Sequence, residues 1–153
     1  MNITVTINGT RHTGDVPPDL PLLDFLRGQG CLSVKRRCET SNCGLCTVWL
    51  DGAPVLSCGV LAVQADGRAI TTLEGLQEEA AQFGAFLADE GGEQCGFCAP
   101  GLIMTVLAMA RELDDPGEDE IRAYLAGNLC RCSGYQSQLR AIQKYLAWRK
   151  GER

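Results

Sequence analysis

The chain has 153 residues, 45% of them hydrophobic and 22% charged, with a net charge of −5 at pH 7. That balance belongs to a soluble globular protein of one ordinary domain or two small ones, and the acidic excess argues against nucleic-acid binding, which needs a basic face. The longest apolar run, Gly101 to Ala110, is too short to span a bilayer, and Met1 to Val5 lack the basic and apolar regions of a secretory signal, so a cytoplasmic protein away from membranes is expected.

Near the N-terminus Ile3, Val5 and Ile7 alternate with polar residues, the pattern of a half-buried strand. Asn8-Gly9 is a hairpin turn, with a return strand over Arg11 to Val16. Pro21 opens a helix through Leu22, Leu23, Phe25 and Leu26, which Gly28 and Gly30 stop. Thr47 to Leu50 reads as a strand, Asp51-Gly52 as a tight turn, and Pro54 to Leu56 as the next strand. Ala69 to Thr72 closes this half. Beyond it the pattern turns helical. Helices are expected over Glu74 to Asp89, over Gly101 to Leu113 with Pro100 at its start, over Glu118 to Ala126 ending at Gly127-Asn128, and over Tyr135 to Arg149. The expected architecture is α+β: a small β roll round one helix over residues 1–75, then a four-helix bundle over 76–153.

Nine cysteines is a heavy load for this length. The count is odd and no export signal is visible, so metal ligation is favoured over disulfides. The first set runs Cys38-x4-Cys43-x2-Cys46, with Cys58 beyond, which is the plant-type [2Fe-2S] spacing. Three thiolates from one loop and a fourth from a neighbouring strand can surround a flat two-iron unit. Gly44, between two of them, suits a backbone that must approach closely. Structural zinc sites pair two short hooks, whereas this set has one hook and a four-residue step; zinc and inert thiols stay as the alternatives. The second set is Cys95-x2-Cys98 followed by Cys130-x-Cys132, each pair at the start of an expected helix, where free N–H groups and the positive dipole end favour thiolates. Cys31 lies outside both sets and reads as a small buried hydrophobe. His12, the only histidine, sits in an N-terminal strand and reads as a surface residue, so no nucleophile–base pair is apparent.

Three runs carry a resemblance. Leu32-Ser33-Val34-Lys35 through Cys43-Gly44-Leu45-Cys46-Thr47-Val48, Gln94-Cys95-Gly96-Phe97-Cys98-Ala99-Pro100-Gly101, and Gly127-Asn128-Leu129-Cys130-Arg131-Cys132-Ser133-Gly134-Tyr135 resemble the iron–sulfur subunit of the xanthine dehydrogenase (molybdenum hydroxylase) family. The likeness covers Ile3 to about Trp148. It implies a plant-type ferredoxin-like β-grasp domain followed by a helical domain, each holding one [2Fe-2S] cluster. It implies electron flow from a molybdopterin centre, through the cluster at Cys95, Cys98, Cys130 and Cys132, to the cluster at Cys38, Cys43, Cys46 and Cys58, and on to FAD. The molybdopterin cofactor would lie on a large partner subunit and the FAD on another, in a hetero-oligomer such as a dimer of heterotrimers. Gln94 and Cys132 match positions that sit beside the pterin. Two positions depart from the pattern: Arg37 and Ser41 stand where the family usually has glycine. If either needs φ > 0, a side chain there costs about 1 kcal/mol or more.

The expected function is therefore an electron-transfer subunit of an oxidoreductase complex, with substrate chemistry on a partner. The stretch Gln29 to Lys35 looks closest to purine-oxidising (xanthine-type) members. Aldehyde, nicotinate-type, carbon monoxide and aromatic-thioester enzymes are alternatives within the family. A free-standing ferredoxin-like carrier and a zinc-binding interaction module are alternatives outside it.

Overall fold

The computed structural model describes residues 1–152. Strands β1 (Asn2–Ile7) and β2 (Thr10–Asp15) form an antiparallel hairpin. Its turn is Asn8-Gly9, both at positive φ (49° and 82°), the backbone that asparagine and glycine accept most readily. Helix α1 (Leu22–Gly28) follows, with Pro21 at its N-cap. Then come β3 (Thr47–Leu50), β4 (Ala53–Leu56) and, after two short 3₁₀ turns, β5 (Ala69–Thr71). The sheet order is β2-β1-β5-β3-β4, with β1 and β5 parallel and every other pairing antiparallel. A helix packed on a mixed sheet whose first and last strands lie side by side is the expected β-grasp.

The alternation in β1 has its predicted consequence. Ile3, Val5 and Ile7 are buried and join Leu22, Leu23, Phe25 and Leu26 of α1, with Val48, Leu50 and Ile70, in one apolar core. Cys31 is buried in the same core, as a small hydrophobe would be. His12 lies on β2, where its Nδ1 meets Gln29 Oε1 at 3.1 Å.

The helical half comprises α2 (Gln77–Asp89), α3 (Ala99–Glu112), α4 (Glu118–Tyr124) and α5 (Gln136–Gly151). Residues 101–110 of α3 are all buried, so this helix is the central rod of the bundle. Phe83, Phe86, Tyr145 and Trp148 stack along the α2–α5 seam, with neighbouring ring centroids 5.1–5.9 Å apart. Helix α2 starts three residues later than the periodicity implies. Leu73–Gly75 forms a 3₁₀ turn instead, because the Glu74 carboxylate is held by Ser33 N–H, Ser33 Oγ and Thr72 Oγ1.

The two halves share a packed boundary. Strand β3 is buried on both faces. Val48 and Leu50 face α1, whereas Trp49 enters the helical core. Its indole N–H donates to Met104 O at 3.0 Å, and the Arg111 guanidinium lies 4.6 Å from its ring centroid.

Candidate metal centres

The first cysteine set lies on the loop between α1 and β3, with Cys58 in the 3₁₀ turn after β4. The loop is rich in inward-pointing N–H groups. Those of Asn42 and Thr40 reach Cys38 and hold its thiol down at about 6. Burial pushes Cys46 up to about 11 against the pull of the Cys58 N–H. Cys46 and Cys58 sulfurs stand 3.4 Å apart, and Cys38 and Cys43 interact with one another.

The second set forms where two loops meet. Cys98 is the N-cap of α3, and Cys130 and Cys132 lie just before α5. Both pairs therefore sit at helix starts, as expected. Cys95 and Cys132 sulfurs are 3.6 Å apart, and Cys98 interacts with Cys130. Burial would raise Cys130, but the Ser133 hydroxyl and N–H donate to its sulfur at 3.2 and 3.4 Å and bring it to about 7. Tyr135, itself at φ 70°, accepts the Cys130 N–H on its hydroxyl at 3.1 Å.

This arrangement suits a two-metal unit. Two sulfurs on one tetrahedral metal, each bonded at about 2.3 Å, stand about 3.8 Å apart. Each set presents its sulfurs as two such close pairs. Among the described residues no three His, Cys, Asp or Glu side chains converge as a single ion requires. Two pairs side by side fit a two-iron unit, each iron taking two thiolates.

The two sets open onto one groove of about 640 Å³, lined by Cys38 and Cys43 on one side and by Cys95, Cys98, Cys130 and Cys132 on the other. Backbone contact holds the walls together. Leu129 N–H donates to Cys43 O at 2.9 Å. Gly44 has φ +74°, and a Cβ there would fall 2.4 Å from Gly127 O. A Cβ on Gly101 would fall 2.3 Å from Gly44 O. Gly44 thus meets the close approach expected of it, while Gly101 at the same contact was not legible from the sequence.

Of the two departures from the family pattern, only Ser41 takes positive φ, at 53°. Its hydroxyl lies 3.3 Å from Cys58 Sγ. Arg37 is exposed and has an ordinary backbone. Gln94 is exposed, and its amide donates to Cys132 O at 3.1 Å, tying the two loops of the second set. Sequence reading missed Gln138. It is 5% exposed on α5, with its amide donating to Gly92 O at 3.3 Å and to Cys98 Sγ at 3.8 Å. Its only signal was a polar residue beside Leu139 on the apolar side of that helix.

Comparison with known proteins agrees with this geometry. Residues 5–88 match the family described as "2Fe-2S iron-sulfur cluster binding domain", and residues 72–143 match "[2Fe-2S] binding domain". The xanthine dehydrogenase iron-sulfur-binding subunit of Escherichia coli O157:H7 is 46% identical over 140 residues, covering 89% of this chain and 88% of that protein. The nicotinate dehydrogenase small FeS subunit of Eubacterium barkeri is 41% identical over 138 residues, covering 88% of each. A chain of the quinoline 2-oxidoreductase crystal structure from Pseudomonas putida 86 superposes with a TM-score of 0.89 at 40% identity, covering 100% of this chain and 98% of that one. With both halves matched by family models and relatives covering nearly the whole length, the chain belongs to the iron–sulfur subunits of the xanthine dehydrogenase (molybdenum hydroxylase) family.

Proposed function

We propose that this chain relays electrons from a molybdopterin-bound molybdenum centre to FAD, each on a separate partner subunit, through two [2Fe-2S] clusters. The observation that carries the reading is the division of each set into close sulfur pairs, Cys46 with Cys58 at 3.4 Å and Cys95 with Cys132 at 3.6 Å. Cys38 and Cys43 would share one iron of the first cluster, and Cys46 and Cys58 the other. Cys95 and Cys132 would share one iron of the second, and Cys98 and Cys130 the other. Each cluster would supply a one-electron store. The chain's own residues supply fixed thiolates, N–H donors to their sulfurs, and a rigid joint that keeps the two stores at constant separation. The divisions 1–75 and 76–153 are the corresponding cluster-bearing units.

Gln94 and Cys132 are both exposed in the isolated chain, as a contact with a partner's pterin requires. We place the pterin contact there. No helix among the described residues is long and apolar enough to cross a membrane, and the cysteine chemistry fits the reducing cytoplasm. Purine oxidation of the xanthine type is the favoured activity for the complex. Its support is the 46% identity to the E. coli xanthine dehydrogenase subunit, against 41% to the nicotinate dehydrogenase subunit.

Iron and acid-labile sulfide analysis of the natively expressed protein tests the reading, with about four of each expected per chain. Zinc without sulfide defeats it. Size exclusion of the same material should give a complex carrying molybdenum and flavin; a fully active lone monomer defeats the subunit role.

A further inference from the structure

Among the described residues five polar side chains are buried: Thr47, Ser57, Thr72, Thr105 and Gln138. Four are hydroxyls bonded to nearby backbone or carboxylate oxygens: Thr47 to Gly44 O, Ser57 to Cys46 O, Thr72 to Glu74 Oε2 and Thr105 to Gly101 O. Gln138 is the exception. It is an amide beside Leu87 and Leu102, where an apolar side chain would pack at no cost in desolvation. Its Nε2 carries two hydrogens and has two acceptors. One is Gly92 O, in the loop leading to Cys95, and the other is Cys98 Sγ. The amide is thus fixed by the first bond and aimed at the sulfur by the second.

A donor to a ligand sulfur stabilises the more negative, reduced state of an iron–sulfur centre and raises its reduction potential. The effect is largest where water is excluded, because the local dielectric is low. The Ser133 hydroxyl and N–H and the Cys132 N–H serve Cys130, and the Cys95 N–H serves Cys132, so none of them reaches Cys98. We infer that Gln138 is a positioning residue that raises the reduction potential of the second cluster through Cys98. The inference rests on the ligand assignment proposed above. One electron enters the cluster, and no bond is made or broken.

EPR-monitored potentiometry of the whole complex, with dithionite as reductant, provides the test. Gln138→Leu and Gln138→Met both keep the side-chain volume and remove the donor, and Met also tolerates imperfect packing. Each should lower the reduction equilibrium constant of the second cluster about tenfold, which is about 59 mV for one electron. The first cluster should not move. Pulsed EPR after exchange into deuterated water should show an exchangeable deuteron at the reduced second cluster that both variants lose. An unchanged second potential in either variant overturns the inference, as does an equal shift in both clusters. A wild-type protein with no second EPR signal overturns the ligand assignment itself, and the inference with it.

Discussion

Replacing Gly101 with alanine sets two effects of opposite sign against each other. Gly101 lies in the first turn of α3, and in a helix the change ordinarily stabilises by about 0.5–1 kcal/mol. Here the new methyl carbon would fall 2.3 Å from Gly44 O, 2.8 Å from Leu45 Cα and 3.1 Å from Gly44 C, whereas ordinary contact begins at 3.4 Å. All three neighbours are backbone of the first cysteine loop, so none can swing aside. The loop and the helix must separate by about 1 Å, and overpacking of this kind costs about 1–3 kcal/mol. The clash wins, and a net loss of about 1–2 kcal/mol is expected. For a chain of this size that lowers the melting temperature of the loaded protein by roughly 2–8 °C. Gly84→Ala on α2 is the matched control, because nothing lies within 4 Å of its added carbon. It should leave the melting temperature unchanged or raise it. Differential scanning calorimetry of both variants, with EPR of the magnetic coupling between the two reduced clusters, reads the outcome. If Gly101→Ala melts no lower than the wild type, the backbone contact is not what joins the two cluster loops.

Three further outcomes follow from the same geometry. Cys43→Ser should remove one of two S = 1/2 EPR signals of the reduced protein and leave the other; loss of both would mean that the cluster sites are not independent. Trp49→Ala should cost about 3–5 kcal/mol, read as a lower midpoint in thermal melts, because a buried indole and its bond to Met104 O are both lost. For Glu74, burial pushes the carboxyl up, but donation from Ser33 and Thr72 outweighs it and holds the group below its usual range. Its stabilisation is therefore complete above the unfolded value of about 4.3 and fades as pH falls through the lower folded value. Glu74→Gln should melt lower than the wild type at pH 7, with the difference shrinking as pH drops below about 4; a constant difference across pH would refute this.

Local chemistry made most of the fold legible before any coordinates. Asn8-Gly9 and Asp51-Gly52 could only be tight turns, and the alternation of Ile3, Val5 and Ile7 fixed which face of β1 is buried. The cysteine spacings likewise marked both sites. What stayed hidden depends on contacts distant in sequence. Thr47 to Leu50 is apolar enough that its period does not reveal that Trp49 serves the helical core while its neighbours serve the sheet core. Glu74 has good helix propensity, yet its carboxylate is claimed by Ser33, 41 residues away, so α2 begins later. Spacing also could not show how eight sulfurs divide into pairs, because Cys95 and Cys132 meet only when two loops fold onto one another.

The parallel pairing of β1 with β5 bears on how the protein reaches its final state. Asn8 at the end of β1 is bonded to Thr72, 64 residues onward, and everything between them is looped out until that contact forms. Such a sheet has high contact order, and closing it carries a large chain-entropy cost before any bond rewards it. The first cysteine loop lies inside this closed stretch. During synthesis its thiols leave the ribosome well before β5 does, so they face solvent on an open template. The helical half closes over a comparable span, since Phe83 of α2 packs on Tyr145 of α5, so neither half is complete until its last element is made.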